Sequence, residues 1–317
     1  MKSLGTFVFG STFLGLAITA HAEFPERNFK LIVPYAAGGG TDTMARTLAP
    51  ELEKALGKTV IVVNRPGAQG QIGTAEIANA KPDGYTLGLL ATSDFLLTQA
   101  LDPDPGFTME SFDFLATFNI SANAIVFNKD VPFDTYDGFV AYAQENPGAL
   151  TFGVSGDTHI YELIRQENQK DIDVNFIRFA GGGESRNALL GGHVDGLMID
   201  KSFVGTLSES GAKALAVASG KRFDSIPDVP TFEESGVDLD NASRRALVLP
   251  AGVPEDRVKA IMAAVDSFAG GEDFKAKLEK INEVQDYMSG DDVVTALNAQ
   301  LDAINAVVEA NPEAFSK

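Results

Sequence analysis

Hydrophobic and polar positions alternate along this chain in blocks. Short apolar runs are followed by longer stretches in which apolar residues recur every three or four positions. Residues 29–35 read as a strand and residues 43–56 as a helix, with Met44, Leu48, Leu52 and Leu56 at every fourth position, a spacing that stacks side chains on one face. Pro50 is expected to kink this helix. A strand at 60–63, a helix at 72–80, a turn in "KPDG" (81–84) and a strand at 85–90 complete the first group. Strand–helix–strand–helix–strand implies a parallel sheet covered by helices.

The pattern then repeats. Residues 115–127 read as one long extended stretch, 136–144 as a helix, and 150–154, 174–179, 194–199 and 214–218 as short strands with helical segments between them. "SIPDVPTFEESG" (225–236) holds two prolines and a glycine and marks a crossing, 246–249 is one more strand, and the tail from Pro254 reads as helical. The expected fold class is α/β, with two α/β domains and a ligand cleft between them. The chain would leave the first domain near 123 and return near 226. Domain 1 is then residues 23–122 plus 227–317, domain 2 is residues 123–226, and the C-terminal helices cover domain 1.

Residues 1–22 follow another pattern: Lys2, an apolar stretch over 7–20, then Ala20-His21-Ala22. That is the layout of a secretory signal peptide cleaved near Ala22, and it predicts a mature chain starting near Glu23 that works outside the cytoplasm. No later segment reaches the roughly 18 apolar residues of a membrane helix. The 317 residues include no cysteine, which removes thiolate metal sites and cysteine nucleophiles. The formal net charge is −19, carried by scattered acidic residues. Such a field repels nucleic acid and anionic membranes, so an anionic ligand needs strong local donors.

In open parallel sheets, ligands sit beyond the carboxyl ends of the strands. Three loops of the first group end there: "AAGGGTD" (36–42), "NRPGAQGQIG" (64–73) and "ATSD" (91–94). Each leads into a helix, whose unpaired N–H groups and dipole attract an anion. Gly39, Gly40, Thr41, Gly67, Ala68 and Gly70 are candidate amide donors, and Thr92 and Ser93 add hydroxyls. "GGGTDT" lacks the Lys-Ser/Thr ending of a phosphate-binding P-loop, its spacing is not G-x-G-x-x-G, and Asn64-Arg65 stand where a ribose-binding acid belongs. Opposite lie "GVSGDTH" (153–159), "FAGGGES" (179–185) and "IDKS" (199–202). A cleft lined by such amides suits a small carboxylate, which needs only a few N–H or O–H donors.

Asp42 either binds a ligand amine or caps its helix, and Asp200 either binds ligand or caps the turn after it. One of Arg178, Arg186, Arg244 or Arg245 facing the cleft would partner a second carboxylate. His159 and His193 are the only histidines after the leader, too few for clustered metal ligands, and no G-x-S-x-G elbow accompanies them. No catalytic residue, metal or cofactor is expected.

"VPYAAGGGTDTMAR", "VVNRPGAQGQIG", "KPDGYTL", "ALLGGHVDGLM", "IPDVPTFEESG" and "LPAGVP" occur in that order. The series resembles the periplasmic receptors of tripartite tricarboxylate transporters, the Bug-type solute-binding proteins. The resemblance implies a monomeric, two-lobed binding protein that closes on a small organic acid (a di- or tricarboxylate or an aromatic acid) and delivers it to a large and a small membrane subunit. By position it implies a first ligand loop from Tyr35 to Asp42 and a second from Pro66 to Gly70, holding a carboxylate through amides and bridging water. Ser155, Thr158, Gly182 and Asp200 would surround the distal part of the ligand. The chain departs from the family pattern in its short 153–159 loop, in Ala180 where Lys or Arg is common, and in Lys201 where an uncharged residue is usual, so the distal pocket is altered. The alternatives are a receptor that reports ligand to a signalling system and an exported hydrolase.

Overall fold

The computed structural model describes residues 24–155, 172–310 and 312. The expected leader and Thr158 lie outside the described residues.

The chain begins with β1 (Phe29–Val33), α1 (Gly40–Leu56), β2 (Val60–Asn64), α2 (Gln71–Ala78), β3 (Thr86–Ala91) and α3 (Thr92–Leu101), then enters the long β4 (Phe112–Ser121). β1 pairs in parallel with both β2 and β3, as the alternation of strand and helix predicts. α1 lays Met44, Leu48, Leu52 and Leu56 onto the sheet and runs past Pro50, which lies on its exposed side. It ends at Gly57, whose left-handed backbone (φ 68°) lets its N–H reach the Glu53 carbonyl.

At Ala122 the chain passes into a second sheet. Its elements are β5 (Asn123–Phe127), α4 (Tyr136–Glu145), β6 (Thr151–Val154), β7 (Asn175–Arg178), α5 (Gly182–Leu190), β8 (Gly196–Asp200), α6 (Val204–Glu209) and β9 (Lys213–Val217). They are followed by β10 (Ser243–Pro250), α7 (Glu255–Asp266), α8 (Glu272–Lys280), β11 (Val284–Ser289) and α9 (Asp291–Ala310). The first sheet has the order β11-β4-β10-β3-β1-β2 and the second β7-β6-β8-β5-β9. Neither is purely parallel. β10 lies antiparallel to both β3 and β4, and β5 is antiparallel to β8 and β9.

Period-two alternation explains why the central strands are buried on both faces. In β10, Leu247 and Leu249 join the cluster of Leu31, Met44 and Leu48, whereas Ala246 and Val248 join that of Phe95, Phe114 and Leu297. In β5, Ile125 and Phe127 face one side, and Ala124 and Val126 the other.

Three expectations change. The stretch at 115–127 is two strands in two sheets, broken at Ala122. The tail expected to be helical throughout contains β11. The return near 226 also moves: Phe232, Val237 and Leu239 pack in the core of the second sheet, and the Phe232 N–H donates to the Val217 carbonyl at 3.0 Å. The chain rejoins the first sheet only between Leu239 and Ser243. Among the described residues no helix is long and apolar enough to cross a membrane.

Candidate functional site

The carboxyl ends of β1 and β3 face those of the second sheet across a cavity of about 70 Å³. At roughly 10–15 Å³ per water, that is space for a handful of small groups and too little for a nucleotide.

Three helices begin at this cavity. α1 starts after Gly39, α3 after Ala91 and α5 after Gly181; none of these three residues caps its helix with its own side chain, and the Ser93 N–H in the first turn of α3 donates to Ser243 Oγ at 3.4 Å. Gly39, Gly40, Thr41, Ala91, Ser93, Gly181 and Gly182 all line the cavity. The two walls touch: a Cβ built on Gly183 would lie 3.0 Å from the Gly38 carbonyl oxygen, so only glycine lets these loops approach so closely. Tyr35, Ser155 and Asp200 also line the cavity.

Other candidates are placed elsewhere. Asp42 turns back into its own loop, accepting from the Gly38 N–H at 2.8 Å, Arg46 Nε at 2.9 Å and Asn64 Nδ2 at 3.0 Å. Burial pushes its pKa up, but the bonds from Arg46, Gly38 and Asn64 outweigh this and hold it below the usual value. Pro66, Gly67, Ala68 and Gly70 do not line the cavity; Gln69 does, from the same loop. The Gly70 N–H closes a tight turn onto the Gly67 carbonyl at 3.0 Å. A Cβ on Gly70, whose φ is +97°, would lie 3.1 Å from Tyr35 Cε1, so this glycine seats the tyrosine ring. Thr92 is buried with its hydroxyl accepting from the Arg244 N–H at 2.9 Å, which pins β10 to the start of α3.

Of the four arginines considered, Arg245 faces the cavity. Arg244 pairs with Asp286 at 2.6 Å, and Arg186 lies over the Phe203 ring at 5.0 Å. Arg178 is on the exposed strand β7. His193 sits in the turn after α5, its N–H donating to the Ala188 carbonyl at 2.8 Å.

Arg245 is 5% exposed. Its Nη2 donates to Asp200 Oδ2, its Nε to Thr41 Oγ1 at 3.2 Å, and its backbone N–H to Asn119 Oδ1 at 3.1 Å. Asp200 Oδ1 accepts from Ser121 Oγ at 3.0 Å, the Ser202 N–H at 3.0 Å and Ser202 Oγ at 2.8 Å. Asp200 therefore caps the turn after β8 and also reaches the cavity. Burial pushes its pKa up, yet the charges of Arg245 and Lys201 and the bonds from Ser202 bring it down to about 2. The carboxylate stays ionised.

A second buried pair lies behind. Lys201 is fully buried; its Nζ donates to the Asn282 carbonyl, stands 3.8 Å from Glu283 Oε2 and lies 4.7 Å from the Phe223 ring centre. Glu283 is 3% exposed and accepts from Asn119 Nδ2 at 3.0 Å. Burial, then repulsion from Asp200, raises its pKa to about 7. Glu283 and Asn119 left no signal in the sequence, being 164 positions apart and joined only by folding. Among the described residues no group of three or more His, Cys, Asp or Glu could hold a metal.

Residues 44–311 match the sequence profile of the tripartite tricarboxylate transporter family receptor. A protein encoded in the gbd 5' region of Cupriavidus necator is 31% identical over 87% of this chain and 86% of its own. The periplasmic binding protein BugD has the same fold, with a TM-score of 0.85 at 25% identity over 90% of this chain and 98% of BugD. MatC from Rhodopseudomonas palustris, solved with bound malate, gives a TM-score of 0.80 at 25% identity over 92% of this chain and 100% of MatC. The family is one of substrate-binding receptors and not of enzymes, and the two-lobed α/β architecture of BugD and MatC is the one described above. The chain belongs to the Bug-type receptor family of the tripartite tricarboxylate transporters.

Proposed function

We propose that this protein is an exported periplasmic receptor that captures a small organic carboxylate between its lobes and delivers it to the large and small membrane subunits of a tripartite transporter. One observation carries this reading: three helix N-termini, those of α1, α3 and α5, converge on a single small cavity. Each supplies backbone N–H groups of a first helical turn and about half a unit of positive charge, which together suit a small anion such as a carboxylate. MatC and its malate support the ligand class. The chain crosses between sheets at Ala122 and again between Leu239 and Ser243, and we assign these two crossings as the hinge on which a monomer closes.

A thermal-shift screen of mono-, di- and tricarboxylic and aromatic acids tests the ligand class; binding of none of them would end this reading. Sequencing the N-terminus of periplasmic material tests export, with a start near Glu23 expected. Loss of uptake of the bound acid on deleting either membrane subunit tests delivery.

A further inference from the structure

β8 ends against the first crossing between the lobes, with the Lys201 N–H donating to the Ala122 carbonyl at 2.9 Å. Two neighbouring side chains leave this point for different places. Asp200 reaches the ligand cavity, whereas Lys201 does not line it and enters the first lobe, where its Nζ donates to the Asn282 carbonyl. The contact is reciprocal, since Asn282 Nδ2 donates to the Ser202 carbonyl at 3.1 Å. Asn282 has a left-handed φ of 58°, a conformation that asparagine tolerates better than most side chains. The loop between α8 and β11 is thereby fastened to the second lobe, and Glu283 lies inside the fastening.

From the elements packed round it, Glu283 meets Asp200 and Lys201 at the end of β8, Arg245 of β10 and Asn119 of β4. Burial and the Asp200 carboxylate, the two largest influences, raise its pKa to about 7, while Arg245, Lys201 and Asn119 pull it down. These influences belong to different lobes. Arg245 and Asn119 are in the lobe of Glu283 and stay with it when the lobes part. Asp200 comes from the second lobe, and so does the buried Lys201, with the Phe223 ring 4.7 Å from its Nζ, which keeps water from this side of the carboxyl. Opening takes away one helpful cation, but it also takes away the repelling carboxylate and the cover, so the open form gives up the proton more readily. Closing around an anion has a matching need: a proton taken up inside offsets the charge that a carboxylate brings in.

We propose, building on the hinge assigned above, that closing of the lobes takes up a proton at Glu283, so that this receptor closes on its ligand most readily in acid surroundings and releases it as the pH rises. Lys201 and Glu283 then form a proton-linked latch between the lobes, outside the ligand cavity. Because the closed form binds the proton more tightly, its advantage is full below the open form's midpoint and is lost as pH rises through about 7.

Two variants hold the mature protein in one form or the other with no ligand added. The chain has no cysteine of its own, and a Cβ on Gly181 would lie 3.3 Å from the Ala36 Cβ across the contact between the lobes, close to disulfide geometry. Ala36→Cys with Gly181→Cys, oxidised, locks the lobes together. Gly183→Leu props them apart, because its Cβ meets the Gly38 carbonyl oxygen at 3.0 Å. Gly181→Leu, pressing on Ala36 at the same contact, is the prop if circular dichroism shows Gly183→Leu unfolded. In each protein the carboxyl carbon resonance that Glu283→Gln deletes is followed by NMR through the neutral range, and small-angle scattering reports compactness. The Glu283 midpoint should lie near pH 7 in the locked protein and about one pH unit lower, or more, in the propped one. Equal midpoints in proteins that differ in compactness overturn the inference and leave the receptor and its hinge intact. A folded, propped protein as compact as the locked one overturns the hinge, and the inference with it.

Discussion

Asp200 and Arg245, 45 residues apart, meet as a buried ion pair although one ends a strand of the second sheet and the other lies in a strand of the first. The contact therefore ties the two lobes at the edge of the ligand cavity. Because both groups are almost out of water, the pair is best judged by what happens when one member is removed. Arg245→Met leaves an ionised carboxylate in the interior and should cost about 3–5 kcal/mol in chemical denaturation. Adding Asp200→Asn to it should recover more than half of that loss; no recovery would mean that Arg245 acts through packing alone.

The pH dependence of stability should carry two opposite signatures. Glu283 has its pKa raised to about 7 from 4.5, so between these values the folded state holds a proton that the unfolded chain has lost. Stability then falls as pH rises through this window, by up to about 1.4 kcal/mol per pH unit. Asp200 is shifted the other way, from 3.8 to about 2, so its contribution is present above pH 3.8 and lost as pH drops toward 2. Denaturant midpoints between pH 4.5 and 7.5 should slope downward for the wild type and flatten for Glu283→Gln.

Gly40 and Gly38 make a matched pair of tests. An alanine Cβ at Gly40 would crowd the Arg245–Asp200 contact, whereas at Gly38 nothing lies within 4 Å but φ is +82°. Gly40→Ala should weaken ligand binding by tenfold or more, because it disturbs the cavity wall. Gly38→Ala should cost about 1–2 kcal/mol of stability from left-handed strain, with a much smaller change in affinity for the folded protein. Calorimetry beside denaturation separates the two.

The second glycine loop makes its own case. Gly70→Val should displace the Tyr35 ring it packs against and reduce affinity strongly. Arg65 instead pairs with Glu76 at 2.9 Å in a half-exposed position. Arg65→Ala should cost less than about 1 kcal/mol and leave binding unchanged. If Arg65→Ala abolishes binding while Gly70→Val does not, the loop works through side-chain charge.

The lobes were legible in the sequence wherever a single element carried its own period. Met44, Leu48, Leu52 and Leu56 mark α1 without reference to any other segment, and the glycines after β1 mark the helix start. What stayed hidden depends on distant partners. β11, "VQDYMS", alternates weakly because it lies at a sheet edge with no position fully buried. Asn119 and Glu283 look like ordinary strand and loop polar residues until folding places them together under Lys201. The 227–239 segment has prolines that suggest a crossing, but its apolar residues, Phe232 above all, belong to the second core.

The insertion of β10 bears on how the molecule comes to exist at all. β3 obtains its second neighbour only from a strand more than 150 positions later, as the Ser93–Ser243 contact with its separation of 150 illustrates. A chain emerging unfolded, N-terminus first, presents β1, β2 and β3 with the apolar edge of β3 unpaired until the whole second lobe has been synthesised and closed. Long-range pairing of this kind is slow to form, and an open edge is a template for the wrong partner. The first lobe is therefore the last to be completed, and fragments ending before Ser243 should associate with one another instead of folding.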